Sequence, residues 1–199
     1  MIARIGIAVV FLFASDAALA HAPFSGAGGF YGGLLHPWFV PVHLMAIVAT
    51  AAVIAQQGSP WNWSMHWHAP AAFAIGLAAG FIAIACAYAP EFSGEAVLAV
   101  AAMAGLLTAL ALPLRAILVA TIATASGAAV ALDSPPDVIS LREAIVIQLG
   151  TFCGAILLMA AALEGASRLH RGWQRIGIRI LGSWIAASAV LVLALQLAQ

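Results

Sequence analysis

Beyond its first twenty residues the chain divides into about six apolar runs, each near the roughly 20 residues that an α-helix needs to cross a bilayer. They extend from Gly29 to Ala55, Ala69 to Ala87, Ser93 to Leu112, Pro113 to Leu132, Leu141 to Gly165 and Trp173 to Leu197. The separators carry turn formers: Gln56-Gln57-Gly58-Ser59-Pro60, Ala89-Pro90-Glu91, Leu112-Pro113, Asp133-Ser134-Pro135-Pro136-Asp137 and the basic link Ser167 to Arg175. This pattern predicts an all-α fold, a polytopic helical membrane protein whose residues 21–199 form one transmembrane bundle with short loops. Residues 1–20 follow a different plan, with Arg4 as a basic start, Ile5 to Ala14 as a short apolar core and Ala18-Leu19-Ala20 as a small-residue cleavage site. That plan predicts a cleavable signal peptide, with His21 as the mature amino terminus.

Composition fixes the class. Of 199 residues 65% are hydrophobic and 7% charged, with a mean hydropathy of +1.10, too little polar material to coat a soluble globule. The formal net charge is zero and lysine is absent, which excludes the basic surface that nucleic-acid binding requires. Cys86 and Cys153 are far apart within apolar runs, so they are expected to be buried thiols rather than a redox motif or a disulfide.

Arginine sets the expected orientation, because cytoplasmic loops collect positive charge. With the mature amino terminus outside, the inner loops hold Arg115, Arg168, Arg171 and Arg175, and the outer loops hold Arg142 alone. Both mature termini are then expected on the periplasmic side of a bacterial inner membrane, together with the acidic Asp133 to Asp137 turn. Arg179, one turn into the last helix, is expected to snorkel to the cytoplasmic interface. Gly76-Leu-Ala-Ala-Gly80 and Gly150-Thr-Phe-Cys-Gly154 have the small-xxx-small spacing that lets helices approach closely.

Chemistry concentrates in the first run. His36 and His43 stand seven residues apart, about two helical turns, so both imidazoles face the same way. Pro37 and Pro41 interrupt the same run and free the carbonyls of Gly33 and Pro37 from helix bonding. Irregular backbone at membrane depth is tolerated only where it is buried in protein or lines a polar cavity, and a metal-capable pair held there is a functional-site candidate. The alternative is a kinked helix whose histidines satisfy neighbouring polar groups.

Further candidate ligands are Glu95, Glu143 and His21. Under the expected orientation His36, Glu95 and Glu143 share the outer side and are candidates to converge. Competing with that, Ser140-Leu-Arg-Glu143 reads as a capping box and Glu95, following Ser93, as part of a capped first turn. A cleaved His21 would offer its amine and imidazole together. A weaker second site is Met65, His66 and His68 within Trp61-Asn-Trp63-Ser-Met65-His66-Trp67-His68, a soft donor set suited to copper, set against a simple interfacial aromatic belt. Glu164 is expected to pair with Arg168 one turn on. No nucleophile with a base, phosphate-binding glycine loop or catalytic carboxylate pair is evident, so no enzyme activity and no organic cofactor are expected.

These features resemble the HupE/UreJ family of hydrogenase/urease accessory membrane proteins, regarded as nickel or cobalt permeases. The family signature has the form His-Pro-x-x-Gly-x-Asp-His-Leu-Leu-Ala-Met, after a signal peptide, an initial histidine and a glycine-rich Gly-Phe segment. This chain has His21-Ala-Pro, Gly28-Gly29-Phe30-Tyr31-Gly32-Gly33 and then His36-Pro37-Trp38-Phe39-Val40-Pro41-Val42-His43-Leu44-Met45-Ala46-Ile47. Fainter likeness runs through Pro90-Glu91 to Glu95 and Arg175 to Gly182. The family's aspartate, taken as a ligand beside the two histidines, corresponds here to Val42, and its glycine to Val40. A His-Gly-x-Ala-His element common at the end of the family's fourth span is replaced by Ala125-Ser126-Gly127-Ala128-Ala129, and the fifth span lacks the family's histidine.

The resemblance implies a permease or binding protein for a divalent transition metal, nickel or cobalt before copper, held at the broken first span. The alternative is a non-transporting assembly subunit that kept the fold and lost the metal site. The expected partners are the lipid bilayer, the metal ion, and a membrane-protein partner or second copy of the chain.

Overall fold

In the computed structural model the described residues are 28–57, 63–88, 90–138 and 140–198. The signal-peptide segment and His21 lie outside them. The described residues form seven helices: α1 (Gly29–Phe39), α2 (Pro41–Gln57), α3 (Trp63–Ala85), α4 (Ser93–Leu110), α5 (Ala116–Leu132), α6 (Leu141–Ser167) and α7 (Gly172–Leu197). Among them, α3, α4, α6 and α7 are long and apolar enough to cross a membrane, α1 and α2 pass that test as a bent pair, and α5 is a shorter apolar helix. The fold is that of a helical membrane protein.

The first apolar run is two helices, bent by 66° at the single residue between them. Pro41 lacks the N–H that would continue α1, and Val40, the residue before it, adopts extended backbone (φ −84°, ψ 110°), as proline demands of its predecessor. Pro37, by contrast, lies within α1. The third helix begins at Trp63, ahead of its apolar run, so the tryptophan- and histidine-rich segment opens a helix. The fifth begins at Ala116, because Pro113 and the residues after it are held in an extended connection.

Helix α2 is the central post. Its residues Ala46, Ile47 and Ala49 to Ile54 are buried without a break, so the helix has no lipid-facing stripe. It packs against α1 and α3 to α7, while α3 pairs with α5, α1 with α6 and α4 with α7 around it. Exposed apolar side chains, among them Trp184, Leu191 and Leu195 of α7, cover the outside, as a lipid-facing surface requires.

Each outer pair meets backbone to backbone at glycine. A Cβ on Gly76 would strike the Thr124 carbonyl, one on Gly127 the Phe73 carbonyl, and those on Gly33, Gly150 and Gly154 the carbonyls of Ile147, Phe30 and Leu34. Gly105 and Gly182 abut in the α4–α7 pair, where a Cβ on Gly105 would lie 2.8 Å from the Gly182 oxygen. Both small-xxx-small motifs thus serve helix packing. Apolar burial drives little association in lipid, so close van der Waals approach must supply it.

Few polar groups enter the interior, and some of them bond from one helix to another. Thr50 Oγ1 donates to the Ala46 carbonyl (2.7 Å) and accepts from Ser126 Oγ (3.0 Å), and Thr108 Oγ1 donates to the Ala49 carbonyl (3.2 Å). At the end of α2, Gln57 donates through Nε2 to the Leu112 carbonyl (3.1 Å) and accepts from the Leu114 N–H (2.8 Å). One side chain therefore ties down the extended connection before α5.

Gly127→Val is expected to cost more than about 3 kcal/mol, since its methyls would meet backbone that cannot step aside. Gly177→Ala, with nothing within 4 Å of its added Cβ, should be nearly neutral. Thermal midpoints of the two variants in detergent check this, and equal midpoints would contradict the close pairing of α3 and α5.

Candidate functional site

The break at Val40 places His36 in the last turn of α1 and His43 in the first turn of α2. Their ring centroids are 5.0 Å apart with the rings inclined by 59°. His43 is fully buried. Its Nε2 lies 2.9 Å from Asp133 Oδ2, and the Asp133 side chain retains 21% exposure. Asp133 is the C-cap residue of α5, its N–H bonded to the carbonyls of Ala129 and Ala131. Ser93 at the start of α4 donates from Oγ to Asp133 Oδ1 (3.3 Å). The carboxylate thus ties α5, α4 and the head of α2 together.

That bond fixes the chemistry of His43. A carboxylate only accepts, so Nε2 carries the proton and, in the neutral ring, Nδ1 holds a bare lone pair. His43 Nδ1 and His36 Nε2 are both buried with no hydrogen-bond partner. Leaving a buried polar atom unpaired costs about 1–3 kcal/mol, so two such imidazole nitrogens in one pair of rings make this a candidate site. An ion bound at about 2.1 Å from an imidazole nitrogen lies about 3 Å from the ring centre, a reach that lets rings 5.0 Å apart share it. Asp133 stands behind His43 and orients it, the place a supporting carboxylate takes behind a histidine that ligates a metal.

The other candidates are placed differently. Among the described residues no three His, Cys, Asp or Glu side chains gather into a ready metal-binding group, so His36, Glu95 and Glu143 do not converge. Glu143 is exposed, and its N–H is bonded to Ser140 Oγ (3.2 Å), the predicted N-cap. Glu95 is half-buried in the first turn of α4. Ser93 does not cap that helix; Phe92 occupies the N-cap position and the serine hydroxyl turns to Asp133. His68 is exposed near the start of α3, and the side chains of Met65 and His66 lie outside the described set.

Three smaller expectations resolve as follows. Glu164 and Arg168 pair at 2.6 Å, both exposed. Arg179 Nε donates to the Ala109 carbonyl (2.8 Å), meeting one of the acceptors that the end of α4 leaves open. The cysteines are free as predicted but not buried: Cys86 is exposed in the turn after α3 and Cys153 half-buried.

Asp133 was hidden in the sequence because it reads as part of a polar turn. One signal pointed to it: the expected orientation puts that turn and the first span's histidines on the same side. It also revises the meaning of Val42, which is partly buried against the core and contributes no donor. The carboxylate absent from position 42 has a counterpart, but one delivered from another helix and bonded to the far nitrogen of His43.

A bundle of apolar helices of bilayer length, one of them broken, defines a polytopic helical membrane protein. The HupE/UreJ family model matches residues 9–192, and the chain belongs to that family. No curated protein and no solved structure matches it.

Asp133→Ala is expected to lower stability by about 1–3 kcal/mol, as the buried His43 Nε2–H loses its acceptor. Asp133→Asn, which keeps a carbonyl oxygen there, should recover at least half of that loss in chemical unfolding followed by circular dichroism. Equal stabilities of the three proteins would remove Asp133 from the network.

Proposed function

We propose that this protein binds a divalent transition-metal ion of the nickel or cobalt type at the break between α1 and α2 and passes it across the membrane. The observation that carries this is a pair of imidazole rings 5.0 Å apart, each with a buried nitrogen that has no hydrogen-bond partner, His36 Nε2 and His43 Nδ1. Membership of a transport or accessory membrane family supports it. Imidazole suits nickel, copper, zinc and iron alike, so two such donors supply affinity with little selectivity. Water and the carbonyls that the two prolines free would complete the coordination.

A cargo site must release what it binds. Two neutral nitrogens hold an ion more loosely than a set containing a thiolate or several carboxylates, which suits transient occupancy. Placing the carboxylate behind His43 rather than on the ion keeps the ring oriented while sparing the ion a direct anionic ligand. The irregular backbone around Val40 is the local device that brings the two rings together, as broken helices do in transporters.

The test is nickel or cobalt uptake into proteoliposomes together with equilibrium binding to the purified protein. His36→Ala and His43→Ala should each abolish saturable uptake, and Asp133→Asn should weaken apparent affinity by about 10–100-fold, the usual effect of losing a supporting partner. Glu143→Gln should leave both measurements unchanged. An unmodified protein that neither binds nor moves these ions would overturn the permease reading and leave the assembly-subunit alternative, whose signature is stable co-purification with another membrane protein.

A further inference from the structure

A cavity of about 500 Å³ lies at the other end of α2 from the histidine pair, where α6 finishes and α7 begins. Its lining includes Gln56, Arg168, His170, Arg175 and Arg179. Three guanidinium groups around one cavity are not balanced by carboxylates. Among the described residues Glu164 alone pairs with one of them, Arg168. Arg179 is held in place from its Nε by the Ala109 carbonyl, which leaves the other nitrogens of its fork for another acceptor. Gln56 Nε2 donates to the Thr108 carbonyl (3.0 Å), and its buried Oε1 has no partner. The cavity thus gathers positive charge, with Arg175 and Arg179 free of any carboxylate partner among the described residues.

That donor set fits a phosphate group, which takes arginine forks well. The surroundings favour a lipid as its source. Trp173, 69% exposed, sits at the start of α7 where an interfacial tryptophan marks the headgroup level. Arg175 and Arg179 lie one turn apart, and beside them Ile176, Ile180 and Trp184 form an exposed apolar stripe along the same helix. A headgroup on the arginines would leave its acyl chains to run along that stripe. We propose that the cavity is a binding site for a phosphate-bearing anion, the phosphodiester headgroup of an anionic phospholipid. It is independent of the histidine site.

The experiment is native mass spectrometry of the full chain released from nanodiscs of equal phosphatidylglycerol and phosphatidylcholine. Thermal melts in pure phosphatidylcholine nanodiscs with and without millimolar sodium phosphate run in parallel. Phosphatidylglycerol should be retained preferentially, and Arg175→Gln should cut that preference by about fivefold, the effect of roughly 1 kcal/mol per arginine near a membrane surface. Arg175 makes no side-chain contact that the fold needs, and the melts confirm that the variant is folded. Arg142→Gln, on α6 at the opposite end of the bundle, should retain the preference. A melt raised by free phosphate in the unmodified protein and not in Arg175→Gln would assign the same site to a soluble phosphate ligand. Equal retention of both lipids with no phosphate effect, or a preference that survives in the Arg175→Gln/Arg179→Gln variant, would overturn the proposal.

Discussion

The structure depends on burying α2 on every side. A helix without a lipid face cannot be held by the bilayer, so its position is set entirely by its neighbours, and α1 and α3 to α7 all touch it. Its small residues, Ala46, Ala49, Ala51 and Ala52, let them come close. Its few polar groups are satisfied laterally, Thr50 by Ser126 and the Ala49 carbonyl by Thr108. These bonds give the post a defined rotation as well as a position, because an unpaired hydroxyl in such surroundings is costly. The direction in which His43 points follows from that rotation.

The ends of the post are chemically opposite. At one, the break before Pro41 brings two imidazoles together and Asp133 anchors the second. At the other, Gln56 and Gln57 bond the backbone of the α4–α5 region, and arginines of the α6–α7 turn surround a cavity. The first end presents imidazole nitrogens and a carboxylate, the second guanidinium groups. The rigid central helix keeps these environments apart while the glycine-matched outer pairs hold the wall around it.

Separating the carboxylate from the ion also has a physical consequence. Had an aspartate stood at position 42, its charge would have been offered next to His43 in sequence. With Val42 there, the carboxylate of Asp133 meets the far N–H of the His43 ring instead. Ser93 and the helix-ending backbone of α5 fix that carboxylate, so the orientation of one histidine depends on three helices.

By itself the sequence determined the elements and their kind. Apolar runs of bilayer length and proline- or glycine-bearing separators predicted the helices to within a few residues at most ends, because hydropathy and backbone breakers act locally. The exceptions are the early start at Trp63 and the late one at Ala116, set by continuation of a helix into a polar segment and by the bond between Leu114 and Gln57. His36, His43 and the two prolines were legible for the same local reason, since their effects are exerted within two turns of chain. Tertiary structure alone decided which carboxylate serves them. Asp133 is ninety residues from His43, and Ser93, legible only as a helix cap, turns to that carboxylate instead. Likewise the arginines read as a topology signal until helix packing enclosed a cavity among them. Side chains distant in sequence acquire a joint chemistry only when packing fixes the distance and dielectric between them.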